Sequence, residues 1–128
     1  MCFGCCAKQC WCESNFDRNA RSPANAKGIC QFVDETAAEL GIDPWDPRES
    51  IFGIAEYVLW SEERWDSGLP GRTRLDMRGL RAGTVNWGLG NMRRDQERNG
   101  WVLYLEAEPH LPAETQAYFW CLERGSRS

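Results

Sequence analysis

The sequence predicts an all-α protein, a bundle of about six short helices forming one domain over residues 1–128, and three observations carry that expectation. Apolar residues recur at helical spacing, most plainly Ile51, Ile54, Ala55, Val58 and Leu59, which puts one stripe of a helix over about 47–66 into a core. Capping and stop residues bracket the periodic segments. No segment sustains the strict alternation of a half-buried strand.

The elements follow in order. Residues 3–13 read as a short helix with Glu13 in its last turn, where the helix dipole does not favour a negative charge. Residues 14–31 are rich in Asn, Ser, Ala, Gly and Pro without periodicity, which is loop composition. In "DETAAELG", Asp34 can cap, Ala37, Ala38 and Leu40 form an apolar side, and Gly41 can stop the helix. "DPRES" opens the next helix with Asp46 as N-cap and Pro47 in the first turn. Helical pattern returns at about 76–85, breaks at "NWGLGN" and resumes over about 91–105. A last helix starts near Pro112 and carries Tyr118, Cys121 and Leu122 on one side. The interruptions 14–31 and 86–91 are where a helical scaffold would build a binding cleft.

Composition bounds the partners. A net charge of −4 gives no reason to expect nucleic acid. Seven arginines lie between Arg72 and Arg98 against Asp76, Asp95 and Glu97, either a solvated face or a surface for an anionic polymer such as a cell wall. Seven tryptophans suit helix packing and sugar-ring stacking alike. The start, "MCFGCCAKQCWC", has neither a basic n-region nor an apolar stretch, so no signal peptide and no membrane span are expected.

Seven cysteines, five in the first twelve residues, are expected to be mainly buried thiols. On a helix Cys2, Cys6 and Cys10 share one face, as do Cys5 and Cys12. One or two disulfides to Cys30 or Cys121 are the alternative. Zinc spacing is missing and the lone His110 has no ligand-type neighbour, so no metal is expected. Nor can His110 assemble a nucleophilic triad, and no phosphate loop with its lysine exists, so no cofactor is expected. Carboxylate chemistry remains. Glu13, beside Cys12 and near Trp11 and Phe16, is either a helix-end charge or a desolvated proton donor with a raised pKa.

Four segments in order resemble one family. "ESNFDRNARSPANAKGICQF" is similar to the catalytic segment of the lytic transglycosylase family, whose SLT domain shares the lysozyme-like helical fold with goose-type lysozymes; Glu13, Ser14, Phe16, Ser22, Ala26, Gly28 and Gln31 are in register. "TAAELGIDPWDPRESIFGIAEYV", "TVNWGLGNMRR" and "LPAETQAYFWCLER" resemble the family's following pieces. The resemblance implies a glycan-binding cleft and makes Glu13 the catalytic acid and base. It carries over Gln31, Asn86 and Tyr118 as sugar contacts, Ser22 as a holder of the loop or of an N-acetyl group, and Glu114 as a residue at the far end of the cleft or a helix cap.

The implied partner is the peptidoglycan glycan strand, cut between N-acetylmuramic acid and N-acetylglucosamine, with a 1,6-anhydromuramoyl product. The alternatives are a hydrolytic goose-type-like muramidase and a non-catalytic virion or wall-binding module. A chain without export signal fits a bacteriophage endolysin, held in the host cytoplasm until holin-type release, or a virion lysozyme among other virion proteins. Two positions depart from the family pattern: Val85 stands where tyrosine is usual, and Cys30 where methionine is usual.

Overall fold

The computed structural model describes residues 3–124, with side chains from Cys6 onward; Cys2, the Cys5 side chain and the "GSRS" tail lie outside the described residues. The helices are α1 (Phe3–Ser14), α2 (Asp34–Leu40), α3 (Pro47–Glu63), α4 (Arg74–Trp87), α5 (Leu89–Asn99), α6 (Tyr104–Ala107) and α7 (Ala113–Arg124). Among the described residues the only ladder pairing is two isolated antiparallel bridges, Arg21 with Lys27 and Lys27 with Phe32. The all-α class therefore stands, with seven helices among the described residues instead of about six. The extra one arises because Gly100, in the left-handed region at φ +70°, ends α5 inside the stretch expected to run to 105. A new turn starts at Tyr104.

The chain divides into two compact units, Met1–Tyr57 and Val58–Ser128, with the division inside α3. In the first, Asp46 caps α3 as expected: its Oδ1 accepts from the N–H groups of Arg48 at 2.9 Å and Glu49 at 3.1 Å. Gly41 ends α2 at φ +70°. Asp34 is not the cap of α2. The cap position is Val33, and Asp34, already helical, pairs with Lys27 Nζ at 2.7 Å. The Lys27–Phe32 bridge brings that lysine to the helix start, where the dipole also favours the carboxylate.

The buried line of α3 also differs from expectation. It runs through Ser50, Ile54, Val58 and Ser61, whereas Leu59 is 46% exposed. Two small serines lie on the core side of this helix, so the apolar residues alone misplaced the stripe by part of a turn.

In the second unit α4 is central. Thr73 and Asp76 form a capping box: Thr73 Oγ1 accepts from Asp76 N–H at 3.2 Å, and Asp76 Oδ2 accepts from Thr73 N–H at 3.0 Å. Asp76 Oδ1 also accepts from the Tyr104 N–H at 2.9 Å, tying α6 to the start of α4. The Tyr104 side chain is fully buried against Gly79, where any Cβ would fall inside the ring. Phe119 of α7 stacks on Tyr104 with centroids 4.5 Å apart. Trp65 donates to Thr84 Oγ1 at 2.8 Å, and Thr84 in turn donates to the Leu80 carbonyl at 2.8 Å. The Trp65 indole N–H and the Thr84 hydroxyl are thus both paired inside the core, whereas the buried Tyr104 hydroxyl has no hydrogen-bond partner among the described residues.

Asp76 makes an acid-stability prediction. Burial pushes its carboxyl up, but hydrogen bonds from Thr73, Tyr104 and Leu105 outweigh burial and hold its pKa below the usual carboxylate range. The folded state therefore binds fewer protons here than the unfolded state, so the stabilisation is present above about pH 4 and is lost as pH falls toward the folded value. Asp76→Asn is expected to cost about 2 kcal/mol at neutral pH and to flatten the fall of Tm between about pH 5 and about pH 3. Melting curves across that range check it.

Candidate active site

Glu13 lies in the last turn of α1, partly exposed. The chain reverses immediately after it: Asn15 and Phe16 sit at φ +59° and +61°, the Asn15 N–H closes on the Trp11 carbonyl at 2.8 Å, and Phe16 turns back against the Trp11 ring at a centroid distance of 5.6 Å. Among the described residues four non-glycine residues have positive φ, namely Asn15, Phe16, Asn25 and Gln31, and all of them fall in the segment that follows Glu13. Each costs on the order of 1 kcal/mol and persists only where its surroundings over-determine it.

Those surroundings are visible. Ser14 Oγ donates to the Ile29 carbonyl at 2.6 Å. Cys10, one turn before Glu13, is disulfide-bonded to Cys30, one residue before Gln31. Both half-cystines are buried, at 0% and 3% exposure. The expectation of mainly buried thiols is corrected here. Helical spacing correctly made Cys10 a core residue, but the loop brings Cys30 to the same face of α1, and two thiols placed so pair. Cys12 and Cys121 are disulfide-bonded as well.

The loop closes on itself. Ser22 Oγ accepts from the Ala26 N–H at 3.0 Å, and the Ser22 N–H donates to the Ala26 carbonyl at 2.9 Å, so this hydroxyl holds the loop tip. Gln31 Nε2 donates to the Gly28 carbonyl at 2.8 Å and the Ala20 carbonyl at 3.2 Å. Gly28, at φ +79°, passes so close to the Pro44 carbonyl that no Cβ fits. The structure thus brings together Glu13, Ser22 and Gln31 as a helix end and one internally bonded loop.

The other expected site residues belong to the second unit. Asn86 is on the last turn of α4, because the expected break at 86–91 shrinks to the single Gly88 at φ +99°. Its Oδ1 accepts from Thr115 Oγ1 at 2.8 Å, so the group Asn86 offers a ligand is its amide N–H pair. Thr115 is buried and follows Glu114, which is exposed in the first turn of α7. Tyr118 is 4% exposed, so its ring is a packed surface.

The arginine-rich stretch is largely engaged. Arg72 donates to the Val102 and Asp66 carbonyls, Arg78 makes two 2.9 Å bonds to Glu123, Arg93 donates to the Arg64 carbonyl and Arg94 to Asn91. Two of its acids are inward, since Asp76 serves the capping box and Asp95 accepts from Trp101 Nε1 at 2.9 Å. Among the described residues no group of three His, Cys, Asp or Glu side chains is placed to hold a metal, and no helix is long and apolar enough to cross a membrane.

Sequence reasoning missed Ser14 as a tether and Thr115 as the partner that orients Asn86. Only Cys30, a cysteine where the resembled family has methionine, signalled a bond at the loop. The Gly28 and Ala20 carbonyls each also accept a backbone N–H, so Gln31→Leu removes one of two donors from each at similar side-chain size. It is expected to cost about 1–3 kcal/mol and to speed limited proteolysis within residues 20–31, which mapping of the first cleavage site checks.

Residues 9–104 match the family model described as the transglycosylase SLT domain. A membrane-bound lytic murein transglycosylase F 1 of Alkalilimnicola ehrlichii is 33% identical over 119 residues, covering 88% of this chain and 23% of that protein. A membrane-bound lytic murein transglycosylase F of Thiobacillus denitrificans is 31% identical over 109 residues, 77% of this chain and 22% of that protein. The chain thus spans less than a quarter of the length of these relatives. No solved structure matches it significantly. With the matched segment running from the helix that carries Glu13 through the loop of Gln31 to Tyr104, the chain belongs to the transglycosylase SLT domain family.

Proposed function

We propose that this chain cleaves the β-1,4 bond between N-acetylmuramic acid and N-acetylglucosamine in peptidoglycan, with Glu13 as the single catalytic acid and base. The observation that carries the reading is the presentation of Glu13. It sits on a helix end fixed by Cys10–Cys30 and Ser14 to the loop of Gln31, inside the residues that match the family. The relatives' names, lytic murein transglycosylase, point the same way.

Glu13, protonated, gives its proton to the bridging oxygen as the bond to the muramoyl anomeric carbon breaks. The resulting carboxylate then takes the proton of the muramoyl C6 hydroxyl, whose oxygen attacks that same carbon and closes a 1,6-anhydro ring. Because the nucleophile is part of the substrate, its effective concentration replaces a second catalytic carboxylate. Asn86, its oxygen held by Thr115, offers N–H donors suited to an N-acetyl carbonyl. Tyr118 serves by packing.

A second reading is favoured by Val85, which offers no hydroxyl where the resembled family has tyrosine: water attacks in place of the C6 hydroxyl, and the product ends in a reducing sugar. The site of action in both is the bacterial cell wall. A buried disulfide suits an oxidising compartment such as the one that holds peptidoglycan. An endolysin or a virion lysozyme would reach the same wall.

Glu13→Gln keeps the shape and removes the proton. It is expected to lower release of soluble fragments from purified sacculi by about 10²-fold or more with an unchanged melting temperature. A variant that releases fragments at the wild-type rate contradicts the assignment of Glu13.

A further inference from the structure

We propose that the Cys10–Cys30 disulfide is a positioning element for catalysis, holding the Glu13 carboxyl and the Gln31 loop in one fixed geometry; the proposal rests on Glu13 being the acid of the preceding section. The two tethers between α1 and the loop bracket Glu13. Cys10 lies three residues before it on the helix, and Ser14 lies one residue after it. Their loop partners are adjacent residues, Cys30 and Ile29, and the next residue is Gln31. With both tethers in place, the last turn of α1 can neither unwind nor rotate against the loop.

The need for a covalent tether follows from the backbone. Asn15, Phe16, Asn25 and Gln31 all hold left-handed conformations that relaxation would abandon, in a segment of turns and two isolated bridges without regular strand pairing. Gln31 restrains the loop internally, through Gly28 and Ala20, and does not reach α1 by those bonds. Ser14 adds one hydrogen bond, to the Ile29 carbonyl, between helix end and loop. A proton donor must stay within hydrogen-bond reach of one oxygen, and a misplacement of about 1 Å costs up to 10²-fold in rate. The disulfide supplies that restraint at a position where the resembled family carries a methionine.

The test compares wild type with Cys10→Ser/Cys30→Ser on purified sacculi, at a temperature where circular dichroism shows both fully folded. The expected result is a fall in kcat of about 10- to 100-fold with little change in apparent KM, because the loss is of alignment and not of glycan binding. Cys10→Ala/Cys30→Val refills the volume without the bond; it is expected to show the same fall in kcat and covers the case in which the serine pair does not fold. A variant that melts earlier yet turns over at the wild-type rate below its Tm overturns the proposal, leaving the bond a purely structural staple. Absence of fragments from the wild type itself overturns the reading of Glu13 instead, so the two failures are distinguishable.

Discussion

The constraint on which the rest of the first unit depends is that an irregular, conformationally costly loop has to stand still beside a helix end. Residues 15–33 hold turns and isolated bridges only, and four of their residues adopt left-handed backbone without being glycine. Such a segment is held by closure and not by a ladder. Ser22 closes the tip, Gln31 closes the base, Gly28 lies against Pro44, and Cys10–Cys30 with Ser14 fastens the whole to α1. The helical turn that carries Glu13 is the one so fastened.

The second unit solves a different problem, how to bury large aromatic side chains together with their polar atoms. A glycine admits the Tyr104 ring to α4, a threonine takes the Trp65 N–H, and an aspartate takes the Trp101 N–H. Asp76 serves two masters, capping α4 and receiving the α6 backbone, which is why its charged form is favoured in spite of burial. The same economy explains the arginines: several are cross-braces to carbonyls and to Glu123, so the basic count in the sequence overstates the basic surface available to a polymer.

Much of this was legible in the sequence where the signal is local. The Asp46-Pro47 start of α3, the Gly41 stop, the loop over 14–31 and the placing of Glu13 in the last turn of α1 all follow from capping rules and composition. What failed depended on partners far along the chain. Asp34 looked like a cap until Lys27 was folded next to it, and Leu59 looked buried until Ser50 and Ser61 took the core side of α3. Cys10 and Cys30, twenty residues apart, meet only through the fold of the loop. At the site, the resemblance of four ordered segments supplied the candidate residues. It could not reveal that the Gln31 amide faces its own loop or that Asn86 is oriented by Thr115.

The central claim is that one carboxylate suffices because the attacking oxygen belongs to the substrate. Mass spectrometry of the fragments that the wild-type protein releases from purified sacculi tests it most directly. The account predicts muropeptides ending in 1,6-anhydromuramic acid, one water lighter than the corresponding reducing-end species; fragments carrying only reducing ends, or no fragments, would contradict it.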